Sequence, residues 1–199
     1  MFGGQATVKK YLDQLRPPGG MLALQHLKER GLIKAVGIGC NPYKHGSLEV
    51  CRAVVEFGHL DYILLAGPYN LLNQEALDDL MPMCQQESIS VFVGAPFASG
   101  ILAVGSRSGT RPNYMYEPAT DAMFEKVKLI EDICDAFQVP LPAAALQFPL
   151  LHPCVSCVLS GVKSEVEVQQ AAANIDAKIP HAFWKALQSA GLIRSDAPI

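Results

Sequence analysis

The sequence predicts an α/β fold built on a parallel sheet. Short β-rich runs alternate with helical patterns from about Gly20 onward, the runs are apolar enough to be covered on both faces, and the first three begin at intervals of roughly 28 residues. Strands of that kind separated by helices belong to parallel sheets connected by right-handed crossovers. Two architectures satisfy the pattern, an open doubly wound sheet or part of an eightfold barrel. A whole barrel needs eight strands and about 250 residues. Four β-rich runs supply half of one.

Chain 1–199 reads as a single domain, with 1–19 as an irregular or helical lead-in. "MLALQHLKERG" has apolar residues at helical spacing and a glycine stop. "LIKAVGIG" follows as the first strand, then the helix "SLEVCRAVVEFG" with Ser47 as N-cap, then the strand "LDYILLA". "NQEALDDLMPMCQQES" is helical apart from Pro82, and "ISVFVGAPF" is the third strand. A polar connection from about Ser106 to Thr120 breaks the rhythm. Beyond it come the helices "DAMFEKVKLIEDICDAFQ" and "LPAAALQFPLL", the strand "CVSCVLSG", and the helices "SEVEVQQAAANI" and "HAFWKALQSAG".

Half of the residues are hydrophobic and only 18% are charged, which excludes a disordered chain. A net charge of -3 offers no general attraction to nucleic acid or an anionic membrane, so neither is expected as a partner, and any anion site must come from local geometry. The six cysteines lack the dense spacing of a secreted disulfide framework, so a reduced, cytoplasmic setting is expected. Cys154 and Cys157 have CxxC spacing at the entry of a strand, where positions three apart face opposite ways, so they read as structural. The first residues contain no long apolar stretch, and no apolar run approaches about 18 residues, so neither a secretory signal nor a membrane span is expected.

In folds of this class the turns after the strands carry the function. Here they are Gly39-Cys40-Asn41-Pro42-Tyr43, Gly67-Pro68-Tyr69-Asn70, Ala95-Pro96-Phe97-Ala98-Ser99-Gly100 and Ser160-Gly161-Val162-Lys163-Ser164. In the last, Gly161 lets the backbone approach a ligand, and the helix opening at Ser164 presents free N–H groups and a positive dipole end beside Lys163. Those groups fit a phosphate; they also fit an ordinary N-cap beside a solvated lysine. Asn41 and Asn70 each carry an amide able to pair with a carboxamide, or to organise a turn. Tyr69 offers a stacking surface, or a cover for the end of the core. His45, in the exit loop of the first strand, is the one histidine placed for a site; no HExxH, GxSxG or Walker lysine occurs.

Taken together, "GLIKAVGIGCN", "YILLAGPYNLLNQEAL", "VFVGAPFASGIL", "LPAAALQFPLLHP" and "VLSGVKSEVEV" resemble the carboxyl-terminal half of the aldo-keto reductases over roughly Gly20 to Ile193. The likeness is greatest to the branch that oxidises sugars at the first carbon, such as D-threo-aldose, L-fucose and L-galactose dehydrogenases, with a pyridoxal dehydrogenase as cousin. The resemblance implies a partial (β/α)8 TIM barrel, strands five to eight with their helices, and an extended NAD or NADP across its carboxyl face. By the same resemblance Gly39 and Asn41 reach the nicotinamide carboxamide and Tyr69 sits near the ring. Phe97, Ala98, Ser99, Gly100 and Leu102 follow the pyrophosphate, while Gly161, Lys163 and Ser164 meet the adenosine end and Gln170 lies near the adenine. The implied substrate is a small sugar or carbonyl compound. This chain departs from the pattern at Cys40, where relatives have serine, at Gly94, where many place a stacking aromatic, and at Ala171, where many have asparagine.

The family's acid is a tyrosine tuned by a lysine, with an aspartate and a histidine, all from the first four strands; such tuning lets a phenol exchange a proton near neutral pH. The matched segments contain no such set. Tyr11, beside Lys9 and Lys10, reads as a surface helix residue. Hence the chain alone is expected to be inactive or nearly so, leaving as the alternative a noncatalytic protein that binds cofactor or another half barrel. Two unpaired strand edges and an apolar inner face predict self-association.

Overall fold

The computed structural model describes residues 5–40 and 47–199. Its centre is a four-stranded, all-parallel sheet in the order β1 (Gly37–Cys40), β2 (Tyr62–Ala66), β3 (Ser90–Gly94), β6 (Val155–Leu159). The lead-in is helix α1 (Gln5–Leu15), followed by α2 (Gly20–Glu29), while α3 (Ser47–Phe57) links β1 to β2. The first two strands are shorter than their apolar runs: Val36 and Leu60 are buried in the core yet precede β1 and β2.

Parallel pairing places directly opposed residues on one face, and the two faces here differ. Ile63, Leu65, Val91 and Val93 are all fully buried beneath the helices. On the other face run the rows Gly37–Tyr62–Ser90, Gly39–Leu64–Phe92–Cys157 and Ala66–Gly94–Leu159. Their side chains remain partly exposed, with the Tyr62 and Phe92 rings stacked at 5.0 Å. Layers of inward side chains are how an eight-stranded barrel fills its interior, and this sheet carries such layers from four strands only.

The segment predicted as one helix after β2 is a 3-10 turn, Glu75–Asp78, and helix α4 (Leu80–Gln86). Asp79, at φ -157, separates them, and Pro82 is tolerated because it lies in the first turn of α4, where an N–H has no helical partner. Between β3 and α6 the polar connection holds a one-turn helix α5 (Ile101–Val104) and a two-stranded hairpin, β4 (Asn113–Tyr114) with β5 (Glu117–Pro118). Helix α6 (Asp121–Phe137) is capped by the Thr120 hydroxyl, which accepts the Met123 N–H at 3.3 Å, and it buries Val127, Ile130 and Cys134. Next, α7 (Leu141–Gln147) ends in a 3-10 turn at Phe148–Leu151, because Pro149 cannot continue the α-helical ladder. Helix α8 (Glu165–Ile175) follows β6, and α9 (His181–Ser189) sets Phe183 and Trp184 against Phe137 and Phe148.

No helix among the described residues is long and apolar enough to cross a membrane. Among the described residues no disulfide joins Cys51, Cys84, Cys134, Cys154 or Cys157. Cys154 is bound instead to His152, with Sγ 3.1 Å from Nδ1.

Candidate functional site at the carboxyl edge of the sheet

Because all four strands run parallel, their following turns gather along one edge in the order of the strands. After β1, Gly39 is exposed, whereas Asn41 and His45 lie outside the described residues.

The turn after β2 is organised from within. Asn70 is 1% exposed, its Nδ2 donates to the Gly67 carbonyl at 2.9 Å, and its Oδ1 accepts the N–H groups of Leu72 at 2.9 Å and Asn73 at 3.1 Å. Gln74 donates to the Asn70 carbonyl at 2.6 Å and accepts the Arg194 N–H at 3.2 Å, tying the turn to the end of the chain. The amide of Asn70 is therefore used in building the turn.

Tyr69 corrects an expectation. It is fully buried, 5.4 Å from the Phe148 ring and edge-on to His152 at 5.6 Å. A ring enclosed in this way presents no face to the cleft, so it covers the core rather than stacking on a ligand. Burial also drives its phenol above the ordinary range, and the hydroxyl has no hydrogen-bond partner among the described residues.

The turn after β3 is defined by its backbone. Ala95, Ala98, Ser99 and Gly100 all have positive φ, at 54, 47, 64 and 106°. Ala98 and Leu102 are fully buried and Phe97 packs against the core, so these residues meet a ligand through main-chain groups if at all. Ser99 Oγ accepts the N–H of Tyr116 at 3.1 Å, which ties the turn to the hairpin tip. Ser106 binds Glu131 through its N–H at 3.0 Å and its hydroxyl, bracing the far side of α5. A Cβ at Gly100 or Gly161 would meet nothing within 4 Å, so the backbone at both positions faces open space.

After β6, the Ser164 hydroxyl caps α8 by accepting the Glu167 N–H at 3.2 Å, and the Glu167 carboxylate accepts the Lys163 N–H at 2.8 Å. Lys163 Nζ stands 4.0 Å from that carboxylate on a side chain 88% exposed. The lysine and the helix dipole favour an anion, whereas Glu165 and Glu167 in the first turn oppose one. Gln170 is exposed on the same helix, further from the sheet edge.

The sheet thus brings Gly39, Phe97–Gly100 and Gly161–Ser164 to one edge and sends Tyr69 and Leu102 beneath it. Two hollows lie away from this edge. One of about 220 Å³ sits between Cys84, Ile89, Pro153 and Cys154 at the entry of β3 and β6, and another lies beside Lys28 and His59. Among the described residues no group of His, Cys, Asp and Glu could hold a metal ion.

Comparison with known proteins gives this edge its context. The model of the aldo/keto reductase family matches residues 11–191. The chain is 37% identical to pyridoxal 4-dehydrogenase of Microbacterium luteolum, over 88% of this chain and 49% of that protein. It is 35% identical to D-threo-aldose 1-dehydrogenase of a Pseudomonas species, over 86% and 50% respectively. The chain spans about half the length of the curated relatives it matches. Among solved structures, the holo form of an aldo-keto reductase from Bacillus halodurans superposes with a TM-score of 0.65 at 23% identity, covering 89% of this chain and 56% of that one. An aldo/keto reductase from Klebsiella pneumoniae in complex with NADP and acetate gives 0.58 at 20% identity, covering 88% and 54%. These two establish the fold: a parallel α/β sheet consistent with part of a barrel.

Proposed function

Since the chain belongs to the aldo/keto reductase family, we propose that it is the cofactor-holding half of an NAD(P)-dependent oxidoreductase barrel, comprising strands five to eight. The parent reaction is hydride transfer between the first carbon of an aldose and a nicotinamide ring. The D-threo-aldose 1-dehydrogenase among its relatives supports this substrate class.

The observation that carries the reading is the carboxyl edge itself. A turn with four positive-φ residues, Ala95, Ala98, Ser99 and Gly100, lies beside the capped start of α8, with open space over Gly100 and Gly161. An extended dinucleotide fits such an edge because its pyrophosphate needs close main-chain approach and its adenosine end needs a polar helix start. Main-chain groups of Phe97–Gly100 would hold the pyrophosphate, Lys163 and Ser164 the adenosine end, Gln170 the adenine, and Gly39 with Asn41 the carboxamide. When bound, the cofactor supplies or accepts the hydride. The protein's part is to fix the cofactor's orientation along the strand ends. Glu165 and Glu167 repel a further phosphate near Lys163, which favours NAD over NADP.

The chain by itself binds without turning over. The tyrosine, lysine, aspartate and histidine of the family's proton relay belong to the preceding strands, and the described tyrosines that the site or the sequence singles out offer no substitute. Tyr11 stands 59% exposed on α1, and a phenol raised by burial, as in Tyr69, cannot exchange a proton near neutral pH.

The test is calorimetric titration of the purified chain with NAD and NADP, beside a turnover assay with L-fucose, L-galactose and D-arabinose. Binding weakened by Lys163→Ala, with no reduced cofactor formed, is the expected result. Absence of binding by a folded chain overturns the assignment of the edge, and turnover that survives rigorous purification overturns the claim of inactivity.

A further inference from the structure

We infer that the β4–β5 hairpin sets the direction of the Ser99 hydroxyl, making that hydroxyl a side-chain donor to the pyrophosphate at the turn after β3. This rests on the cofactor reading above and adds to it a positioning residue, Tyr116, which acts through Ser99.

The turn after β3 uses much of its main chain on itself. The Ala98 N–H donates to the Ala95 carbonyl at 3.0 Å, the Gly100 N–H to the Phe97 carbonyl at 2.9 Å, and the Leu102 N–H to that same carbonyl at 3.2 Å. An anion lying against the turn therefore meets fewer main-chain donors than the left-handed backbone would otherwise offer. Ser99 is half-buried in this stretch and carries its only hydroxyl between Phe97 and Leu102.

A serine hydroxyl has one proton to give and two lone pairs to offer. Ser99 Oγ accepts the Tyr116 N–H at 3.1 Å, and no acceptor among the described residues takes its own proton. With one lone pair occupied, that proton is confined to the remaining directions around Oγ, away from the hairpin. An anionic oxygen suits it, since a hydrogen bond to a charged partner is roughly twice as strong as a neutral one.

The donor that fixes the hydroxyl is itself held under strain. The ladder pairs Asn113 with Pro118 and Tyr114 with Glu117, so the Tyr116 N–H lies outside it. Met115 and Tyr116 form the two-residue turn at φ 53 and 68°, positive at both positions as in a type I′ turn, where Asn-Gly is the favoured pair. Non-glycine residues stay left-handed only where their surroundings fix them. The hairpin is braced at its base. Arg111 lies over the Phe124 ring at 5.4 Å and pairs with Asp121, and the Ala119 N–H donates to the Pro112 carbonyl at 3.0 Å. Tyr114 packs against the core. Ser99 is also left-handed, at φ 64. Two strained turns thus meet at one hydrogen bond, and that bond sets the bearing of a hydroxyl beside the ligand's path.

The experiment is NMR titration of the 199-residue chain and its variants with NAD and with adenosine, which has no phosphate. We expect Ser99→Ala to weaken NAD about tenfold and adenosine less than about twofold. Met115→Pro, whose ring cannot adopt φ 53, should break the turn, withdraw the Tyr116 N–H and weaken NAD as well. Combined with Ser99→Ala it should add less than about twofold, because both changes act on one hydrogen bond. Ser99→Gly accepts a positive φ without strain, so it tests loss of the hydroxyl should the alanine variant fail to fold. Equal NAD affinity of the parent and the Ser99 variants, an equal loss for adenosine, or full additivity in the double variant would each overturn the inference while leaving the cofactor reading in place. A folded parent that binds no NAD overturns both together.

Discussion

Asn70→Ala separates a turn-building amide from a ligand-binding one. In the structure that side chain makes three hydrogen bonds, donating to the Gly67 carbonyl and accepting from Leu72 and Asn73. Each such bond is worth about 0.5–1.5 kcal/mol net, so their sum is roughly 2–4 kcal/mol, and any partner left dry and unpaired adds to it. The backbone bonds of the turn and the Gln74 side-chain donation to the Asn70 carbonyl survive the substitution, which keeps the loss below that of a collapsed loop. For a domain of this size the loss lowers the melting temperature by about 2–4 °C per kcal/mol, or roughly 5–15 °C in all. Trp184 is the chain's one tryptophan and is buried against Phe148 and Phe183, so its fluorescence reports unfolding in urea. Asn73→Ala is the control: its side chain accepts a single exposed N–H from Glu75, and its loss should stay under about 1 kcal/mol. If Asn70→Ala unfolds within about 1 kcal/mol of the parent while its affinity for NAD falls about tenfold, the amide is a ligand and the reasoning fails.

Four further outcomes follow from the same contacts. Tyr69→Phe removes a buried, unpartnered hydroxyl, so the melting temperature should hold or rise; a loss above about 1 kcal/mol would reveal a partner for that oxygen. Gln138 ends α6 in a left-handed conformation at φ 56, so Gln138→Gly should raise stability by about 1 kcal/mol in urea titrations. Lys28 holds the Asp61 carboxyl below its ordinary range, and the Val36 N–H donation adds to this. A depressed pKa stabilises above the unfolded value near ~3.9 and is lost as pH falls through the folded value, so Asp61→Asn should flatten that acid limb of the stability profile. Burial pushes the thiols of Cys84 and Cys134 up to about 12 and that of Cys154 to about 11, so mass spectrometry should find all three slow to alkylate in the native chain at neutral pH.

The sheet was legible because its signals are local. Apolar runs of five or six residues between helical periods mark β2, β3 and β6, whatever surrounds them. What escaped depends on distance. Nothing in the sequence near Gln74 marks Arg194 as its partner 120 residues on, nor Glu131 as the brace for Ser106. Tyr69 was ambiguous for the same reason, since a tyrosine after a strand faces cleft or core according to Phe148, which lies far along the chain. One signal could have been taken further. Ser164-x-x-Glu167 has the spacing of a capping box, and its carboxylate, which accepts the N–H of Lys163 just before the cap, is the one that competes with a phosphate for Lys163.

On the proposed reading, the turn after β3 and the core beneath it are where binding and catalysis would come apart in this chain. Three non-glycine residues, Ala95, Ala98 and Ser99, hold left-handed conformations there, each costing about 1–2 kcal/mol. Such strain persists only where surrounding contacts fix it, and it gathers at functional sites. Here the fixing contacts all lie within the chain: Ala98, Ile101 and Leu102 are fully buried, and Ser99 is tied to the Tyr116 N–H. The main-chain geometry that would receive a pyrophosphate is therefore formed without any residue from elsewhere. A tuned phenol is different in kind. It needs a cation beside it and access to solvent, and the one tyrosine buried under this edge has neither a hydrogen-bond partner for its hydroxyl nor a lowered pKa. Half a barrel can thus retain a binding surface built from backbone, while a proton relay built from side chains requires the strands that face it.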